Sequence, residues 1–423
     1  MFICSQCNYG SASWMGKCPS CGEWNTFIQQ KEEREQSFSS EPFSLTPLSK
    51  IKPLERKYKP TGISEFDRVL GGGIVPGEVI LLTGEPGIGK STLLLQSLAK
   101  LKTIYISGEE AAEQVKDRAE RLKIPLKDFS FSDSLQIESI ISGLESYKEN
   151  TDVLVIDSVQ TIYTKSIASP AGSVSQLKET TNMLTTYAKR NKIAVILVGH
   201  VTKEGDVAGP KTLEHVVDCV LSFEGERVSY HRVLRASKNR FGSTDEIGIF
   251  EMKETGLSEV TNPLAFLEDE TESVVGKSIV GVAEGKRALF FEIQTLAVPT
   301  ILSVPRRVVK GVDYNKVQLL LAVIRKHLGI TLDTYDIYVN VVGGVQIKST
   351  GADLGVVASL ISSVRNIPIP KKTVFTGEVG LLGEVRSVLF EDKIIKEAKR
   401  LSFTRNYSSK SMKNIKELRK ILV

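Results

Sequence analysis

No apolar run in this chain approaches the roughly 20 residues that a membrane-spanning helix needs, so no membrane partner is expected. The opening residues, MFICSQCNYG, lack the basic stretch followed by an apolar stretch that marks a secretory signal. Tandem repeats and low-complexity tracts are also missing, which argues against solenoids and arrays. Cysteine is scarce and unevenly placed: of five, Cys4, Cys7, Cys18 and Cys21 cluster, and Cys219 stands alone. That is not a distributed disulfide framework, and it points to a reducing, cytoplasmic setting. Nor is there a large excess of one charge. A formal net charge of +5 over 423 residues permits a nucleic-acid partner without demanding one.

What is present is globular material, 41% hydrophobic and 25% charged, in a chain long enough for two or three domains. Four segments are expected. Residues 1–28 form a small cysteine-dominated unit, and residues 29–55 are polar, with serines and prolines but no apolar periodicity, as in a linker. Residues 56–265 carry short β-branched runs at 79–83, 103–107, 152–157 and 193–199, separated by stretches of helical length at 90–100, 111–123 and 173–192. Continuously apolar strands alternating with helices predict a mostly parallel sheet covered on both faces. Runs at 216–223 and 231–242 read as additional strands at the end of that sheet. The acidic stretch 268–272 marks the border to a second α/β unit, 266–423. Strands are expected there at 278–285, 288–298, 337–344 and 373–380, with helices at 315–328, 353–364 and 392–400.

The cysteines follow the pattern Cys4-x2-Cys7-x10-Cys18-x2-Cys21. Each Cys-x2-Cys places two thiolates on one metal, and two such knuckles complete a tetrahedral site. Zinc is expected; iron in a rubredoxin-like site would use the same ligands. All four positions are filled by protein, so the site is structural, and the metal supplies folding energy that so short a segment cannot obtain from a core. Trp14 and Trp24 are expected to pack on the knuckles, with contact to a partner the alternative.

Residues 84–92, Gly-Glu-Pro-Gly-Ile-Gly-Lys-Ser-Thr, match G-x4-G-K-[ST] between an apolar strand and an apolar helix. Gly84, Glu85, Pro86, Gly87, Ile88 and Gly89 form a phosphate-binding loop for ATP. Its glycines turn backbone amides to the phosphates, and the following helix adds its positive end. Lys90 reaches the phosphate oxygens, Ser91 supplies a hydroxyl to Mg²⁺, and Thr92 contacts the α-phosphate. The strand 152–157 ends in Asp157, a carboxylate for the same Mg²⁺. Glu109, with Glu110 as fallback, is the candidate to position the attacking water. His200, at the end of ILVGH (196–200), is a candidate sensor of the γ-phosphate.

These placements, with the segment TGISEFDRVLGGGIVPGE at 61–78, resemble the RecA-like ATPase core. The pentapeptide Lys238-Asn239-Arg240-Phe241-Gly242, behind a Cys4 finger and ahead of a further domain, resembles the bacterial RadA (Sms) family over essentially the whole chain. The resemblance implies a DNA-dependent ATPase and helicase that promotes branch migration in RecA-mediated recombination, DNA repair and the stress response to DNA damage. It implies single-stranded and branched DNA and the RecA recombinase as partners, and a homo-hexameric ring. Nucleotide would lie between ring subunits, with Lys238 and Arg240 completing a neighbour's site or contacting DNA phosphates. Loops 161–173 and 201–212 would face DNA.

From residue 339, VNVVGGVQIKSTGADLGVVASLISS and VFTGEVGLLGEVRSV resemble the Lon protease catalytic domain. Its serine nucleophile falls on Ala352, and its lysine base on Asp392, or on Lys393 if the alignment slips by one. Without a nucleophile there is no acyl chemistry, so a proteolytically inactive domain suited to oligomer formation and DNA contact is expected. The basic tail 410–420 is a possible phosphate contact or a solvated helix face. Two other readings compete with the DNA motor: an ATP-dependent Lon-type protease, and a non-motor ATPase scaffold like the circadian-clock proteins.

Overall fold

The computed structural model describes residues 2–6, 9–11, 13–29, 45, 47, 49, 58–200, 210–225, 230–267 and 273–422. The chain divides into two compact units, Met1–Glu55 and Arg56–Val423. The first holds a three-stranded antiparallel sheet of β1 (Phe2–Cys4), β2 (Gly10–Ser11) and β3 (Phe27–Gln29), with β1 in the middle. Among the described residues its core is Cys4, Cys18 and Phe27, with Phe2 and Met15 packed against them, too little apolar area to fold without a staple. Trp14 and Trp24 are 53% and 67% exposed, and their rings flank Gly16 just ahead of Cys18, with ring atoms 3.7 and 3.8 Å from where a Gly16 side chain would begin.

In the second unit, α1 (Ser64–Leu70) leads into β4 (Val79–Gly84), α2 (Lys90–Ser97), β5 (Thr103–Ser107), α3 (Ala112–Arg121) and β6 (Phe129–Ser132). Next come α4 (Ile137–Glu145), β7 (Val153–Asp157), α5 (Val174–Asn191), β8 (Ala194–His200), β9 (Cys219–Glu224), β10 (His231–Asn239), β11 (Ile247–Lys253) and β12 (Gly256–Glu259). They build a nine-stranded sheet in the order β12-β11-β10-β9-β4-β8-β7-β5-β6. From β9 to β6 every neighbouring pair is parallel, and β10 to β12 add antiparallel strands. Every residue of β4 and β7 is buried, as strands covered on both faces require. One expectation needs correction: the run at 216–223 lies inside the sheet, directly beside β4, and only the strands after it extend the edge.

The remaining elements are β13 (Lys277–Glu284), β14 (Arg287–Pro299), β15 (Arg307–Lys310), α6 (Tyr314–Leu328), β16 (Tyr335–Val341), α7 (Asp353–Arg365), β17 (Thr373–Phe375), β18 (Glu378–Val379), β19 (Val385–Arg386), α8 (Glu391–Arg400) and β20 (Arg405–Tyr407). A six-stranded mixed sheet runs β15-β16-β14-β13-β17-β20, and β18 and β19 form a separate hairpin. Alternation along β13 sets the two faces: Val280 and Val282 join the large core with α6 and α7, and Ile279 joins a smaller core with α8. Helix α6 begins at Asp313, whose carboxylate accepts from the Lys316 amide at 2.7 Å, and ends at Gly329 in the left-handed region. The tail around 410–420 is anchored rather than free: Ile415, Leu418 and Leu422 are fully buried in the large core, while Lys416, Arg419 and Lys420 form the expected solvated helix face. The acidic stretch 268–272 lies outside the described residues. Among the described residues no helix is long and apolar enough to cross a membrane.

Candidate functional site

The loop between β4 and α2 takes the conformation its glycines allow. Gly87 and Gly89 have φ of +78° and +110°, and nothing lies within 4 Å of where a Gly87 side chain would begin, so that side of the loop is open for a phosphate. Gly84 runs so close to β9 that an added Cβ would stand 2.6 Å from the Phe223 carbonyl oxygen. Lys90 is buried, and its Nζ donates to the carbonyls of Gly84 (2.9 Å) and Glu85 (3.0 Å). Burial lowers the Lys90 pKa, and the nearby Asp157 and Glu109 carboxylates oppose that shift.

Parallel pairing brings the ends of β4, β5, β7 and β8 together. Ser91 Oγ donates to Asp157 Oδ2 at 2.8 Å, and the buried Tyr105 hydroxyl donates to the same oxygen. His200 bridges two of the candidates. Its Nδ1 lies 3.2 Å from Lys90 Nζ, and its Nε2 lies 3.2 Å from both Glu109 oxygens. A neutral ring protonated on Nε2 satisfies this geometry, accepting from the ammonium and donating to the carboxylate. Ser158 also donates to Glu109. Glu109, Asp157 and His200 offer ligand atoms within 4.8 Å of one another, with the Ser91 hydroxyl on Asp157. An oxygen-rich cluster of this kind beside an open phosphate loop fits Mg²⁺ carried by ATP. Glu110 points elsewhere, held in a bidentate ion pair by Arg118 at 2.7 and 2.5 Å. Tyr105, Ser158 and Arg118 were not singled out from sequence, because each acts through a neighbour rather than through a motif.

Lys238 and Arg240 do not join this cluster within the chain. Strand β10 is antiparallel to β9, so residues 238–242 reach the start of β9, where Asp218 binds the first amide of β4. Five residues of β4 separate that end from the phosphate loop, about 17 Å at the rise of a strand. Lys238 Nζ donates to the Glu214 carbonyl at 2.7 Å, and Arg240 pairs with Asp218 at 3.1 Å. Asn239 accepts from the amides of Phe241 and Gly242, each at 2.8 Å, and donates to the carbonyls of Val69 and Leu70. The pentapeptide is thus docked on the end of α1, where a Cβ on Gly71 would come within 2.8 Å of Gly242 Cα.

In the first unit, the Cys4 and Cys21 sulfurs are 3.7 Å apart, and those of Cys4, Cys18 and Cys21 lie within 4.8 Å of one another. That spacing is far too long for a disulfide and close to the roughly 3.8 Å between thiolates sharing a tetrahedral zinc. Cys7 lies outside the described residues. In the C-terminal sheet module, Ala352 is buried at the start of α7, and the hydroxyl of Ser349 accepts from the Gly351 amide as a cap. Asp392 pairs with Lys410, and Lys393 donates to the Lys286 carbonyl. Asp353, the residue after Ala352, is tied to Lys316 at 2.9 Å and to the Val379 amide, and burial raises its pKa to about 6.

A phosphate loop on a central parallel strand, with a hydroxyl, two carboxylates and a histidine converging on it, defines a P-loop ATPase of the RecA-like class, with ATP and Mg²⁺ as its ligands. Residues 59–153 match the KaiC ATPase family, and residues 2–29 match the rubredoxin metal-binding domain family, in keeping with a structural zinc. The chain is 45% identical to the DNA repair protein RadA of Listeria monocytogenes, covering 97% of this chain and 92% of that one. The RadA proteins of Aquifex aeolicus (44% identity, 97% and 93% covered) and Bacillus subtilis (46%, 96% and 91%) are similarly close. At such identity over such lengths, the chain belongs to the RadA family of DNA repair proteins. The solved RadB recombinase aligns with 47% of this chain and 98% of its own, at 24% identity and a TM-score of 0.38, too loosely to carry an argument.

Proposed function

We propose that this protein is a DNA-dependent ATPase that works as a helicase on recombination intermediates, promoting branch migration in RecA-mediated homologous recombination and repair. The observation that carries the ATPase part is the bridge from Lys90 through His200 to Glu109, beside the Ser91–Asp157 pair. ATP with Mg²⁺ supplies the phosphoanhydride whose hydrolysis drives the work. Lys90 and Thr92 hold phosphate, Ser91 and Asp157 hold the metal, and Glu109 orients the attacking water. His200 lies where a phosphate that captured Lys90 would alter its contacts, so it is well placed to pass that change to the loop after β8. The DNA part rests on membership of a family of DNA repair proteins and on loop 161–173. Gln176 holds that loop in shape, its amide donating to the carbonyls of Thr164, Ile167 and Ser169 at 2.9–3.0 Å. A preformed loop with few charges suits sequence-independent contact with a single-stranded backbone. Most of the second candidate loop, 201–209, lies outside the described residues.

The working division is a zinc finger at 1–28, a linker at 29–55, the ATPase domain at 56–265 and an inactive Lon-like domain at 266–423. The buried Ala352 and the engaged Ser349 leave the Lon-like centre without a nucleophile, which disfavours proteolysis. Assembly as a cytoplasmic homo-hexamer would bring Lys238 and Arg240, far from their own chain's loop, to a neighbour's nucleotide or to DNA. The test is ATP turnover with and without single-stranded and branched DNA, for wild type, Lys90→Ala and Lys238→Ala. Loss of turnover in Lys90→Ala and DNA stimulation in wild type are expected. Lys238→Ala should hydrolyse ATP without moving a branch. Turnover indifferent to DNA would sink the motor and favour a non-motor scaffold.

A further inference from the structure

Strand β10 begins with two residues that reach in different directions. Arg232 is buried, and its Nε donates to the carbonyl of Ile88, inside the phosphate loop, at 3.3 Å. The preceding His231 packs tilted against Phe266, with ring centroids 4.7 Å apart and planes at 57°, and Phe266 stacks on Phe291 of β14 at 4.7 Å and 28°. Gly343 closes the same corner, since a Cβ there would stand 3.1 Å from Phe266 and 3.4 Å from His231. The next strand adds a second support for the loop: a Cβ on Gly89 would stand 2.8 Å from the end of Met252 in β11, whose amide donates to the Tyr230 carbonyl. The back of the phosphate loop therefore rests on the strands that carry the C-terminal module.

We propose that residues 231–232 are positioning residues that set the nucleotide affinity of the phosphate loop from the C-terminal module: Arg232 fixes the loop through the Ile88 carbonyl, and His231 fixes Arg232 through the Phe266–Phe291 stack. Successive side chains of a strand project to opposite sides, so a shift of the His231 ring moves its neighbour's guanidinium through a short, stiff backbone. A phosphate loop binds through amides whose direction depends on its carbonyls being held. Coupling of this kind is reciprocal: nucleotide in the loop must steady the stack as much as the stack steadies the loop.

The inference rests on reading 84–92 as the nucleotide loop, and the test separates the two. Binding of a non-hydrolysable ATP analogue is measured on the full chain for wild type, His231→Ala, Phe266→Leu and Phe403→Leu. Phe403 stacks on Phe290 within the smaller C-terminal core, which contains no β10 residue, so its variant reports the effect of destabilisation alone. His231→Ala and Phe266→Leu should weaken analogue binding about fivefold, a coupling of ordinary size, and raise KM for ATP more than they lower kcat. Phe403→Leu should bind as wild type does. Because His231 is only half-buried, its variant is expected to fold. As a second measurement on wild type, the analogue should slow amide exchange at residues 289–293. A wild-type chain that binds no analogue defeats the reading of the loop. Wild-type affinity in His231→Ala, equal weakening in Phe403→Leu, or unchanged exchange at 289–293 defeats the lever alone.

Discussion

Glu109 and Glu110 are adjacent and chemically alike, yet the structure gives them different work. Glu110 is locked to Arg118 by two short hydrogen bonds, whereas Glu109 meets His200 and Ser158 beside the phosphate loop. If Glu109 orients water, Glu109→Gln should lower kcat by about two to three orders of magnitude while ATP binding persists, as loss of a general base does. Glu110→Gln should chiefly lower the melting temperature, and a comparable kcat loss there would reverse the assignment. Glu78 offers a separate test at this scale. Burial pushes its carboxyl up to about 8, the Val75 amide pulls it down, and Asp218 adds to the rise. Its other oxygen has no hydrogen-bond partner, as suits a protonated acid. A folded pKa above the unfolded 4.5 gives stability that is complete below that value and is lost as pH rises through about 8. The wild-type unfolding free energy from urea titration should therefore fall between pH 4.5 and about 8 relative to Glu78→Gln, by up to about 1.4 kcal/mol per pH unit. Parallel pH profiles for the two proteins would reject the neutral carboxyl.

The elements differ in what holds them. Strands β4 and β7 are held by burial on both faces, but β1, β2 and β3 surround a core with three buried side chains among the described residues, two of them cysteines. Zinc removal by a chelator should release one ion per chain and speed amide exchange across Phe2–Cys4 and Phe27–Gln29. Exchange in β4 should not change, since Met1–Glu55 and Arg56–Val423 are separate compact units. Full protection of the small sheet after metal removal would mean that the thiolates do not staple it. The same comparison explains why the ATPase strands could be read from sequence: continuous apolar runs bounded by Gly, Asp and His needed no distant contact to be recognised. Strands β6, β11, β12, β15 and β20 are not among those the sequence predicts, because each is completed by its neighbour's hydrogen bonds.

Within Arg56–Val423 the two sheets share a core. Val233, Ile247 and Ile249 of the nine-stranded sheet cluster with Val280, Leu289 and Phe291 of the six-stranded one. Polar contacts fix the register of that junction: Arg287 pairs with the fully buried Glu65 at 2.9 Å, Glu65 accepts from the Ile249 amide, and Arg235 pairs with Glu284 at 2.6 Å. Removing one member of a buried pair leaves the other uncompensated, which costs far more than the pair contributes. Contacts on this scale connect residues more than 200 positions apart, and no local periodicity announces them.

By itself the sequence determined the chemistry that depends on short spacing: the knuckles around Cys4 and Cys21, the loop 84–92 and the order of apolar runs that makes a parallel sheet. Such features are local, because a metal knuckle or a phosphate loop is built by a few consecutive backbone angles. Only the tertiary structure decided that Glu109 rather than Glu110 faces the loop, that His200 bridges Lys90 to Glu109, and that residues 238–242 dock on α1 at the far end of the sheet. It also exposed Trp14 and Trp24 and tied the phosphate loop to the C-terminal module through Arg232 and His231. These outcomes follow from strand order and burial, which arise from competition among all the segments for a limited interior and so cannot be read from any one of them.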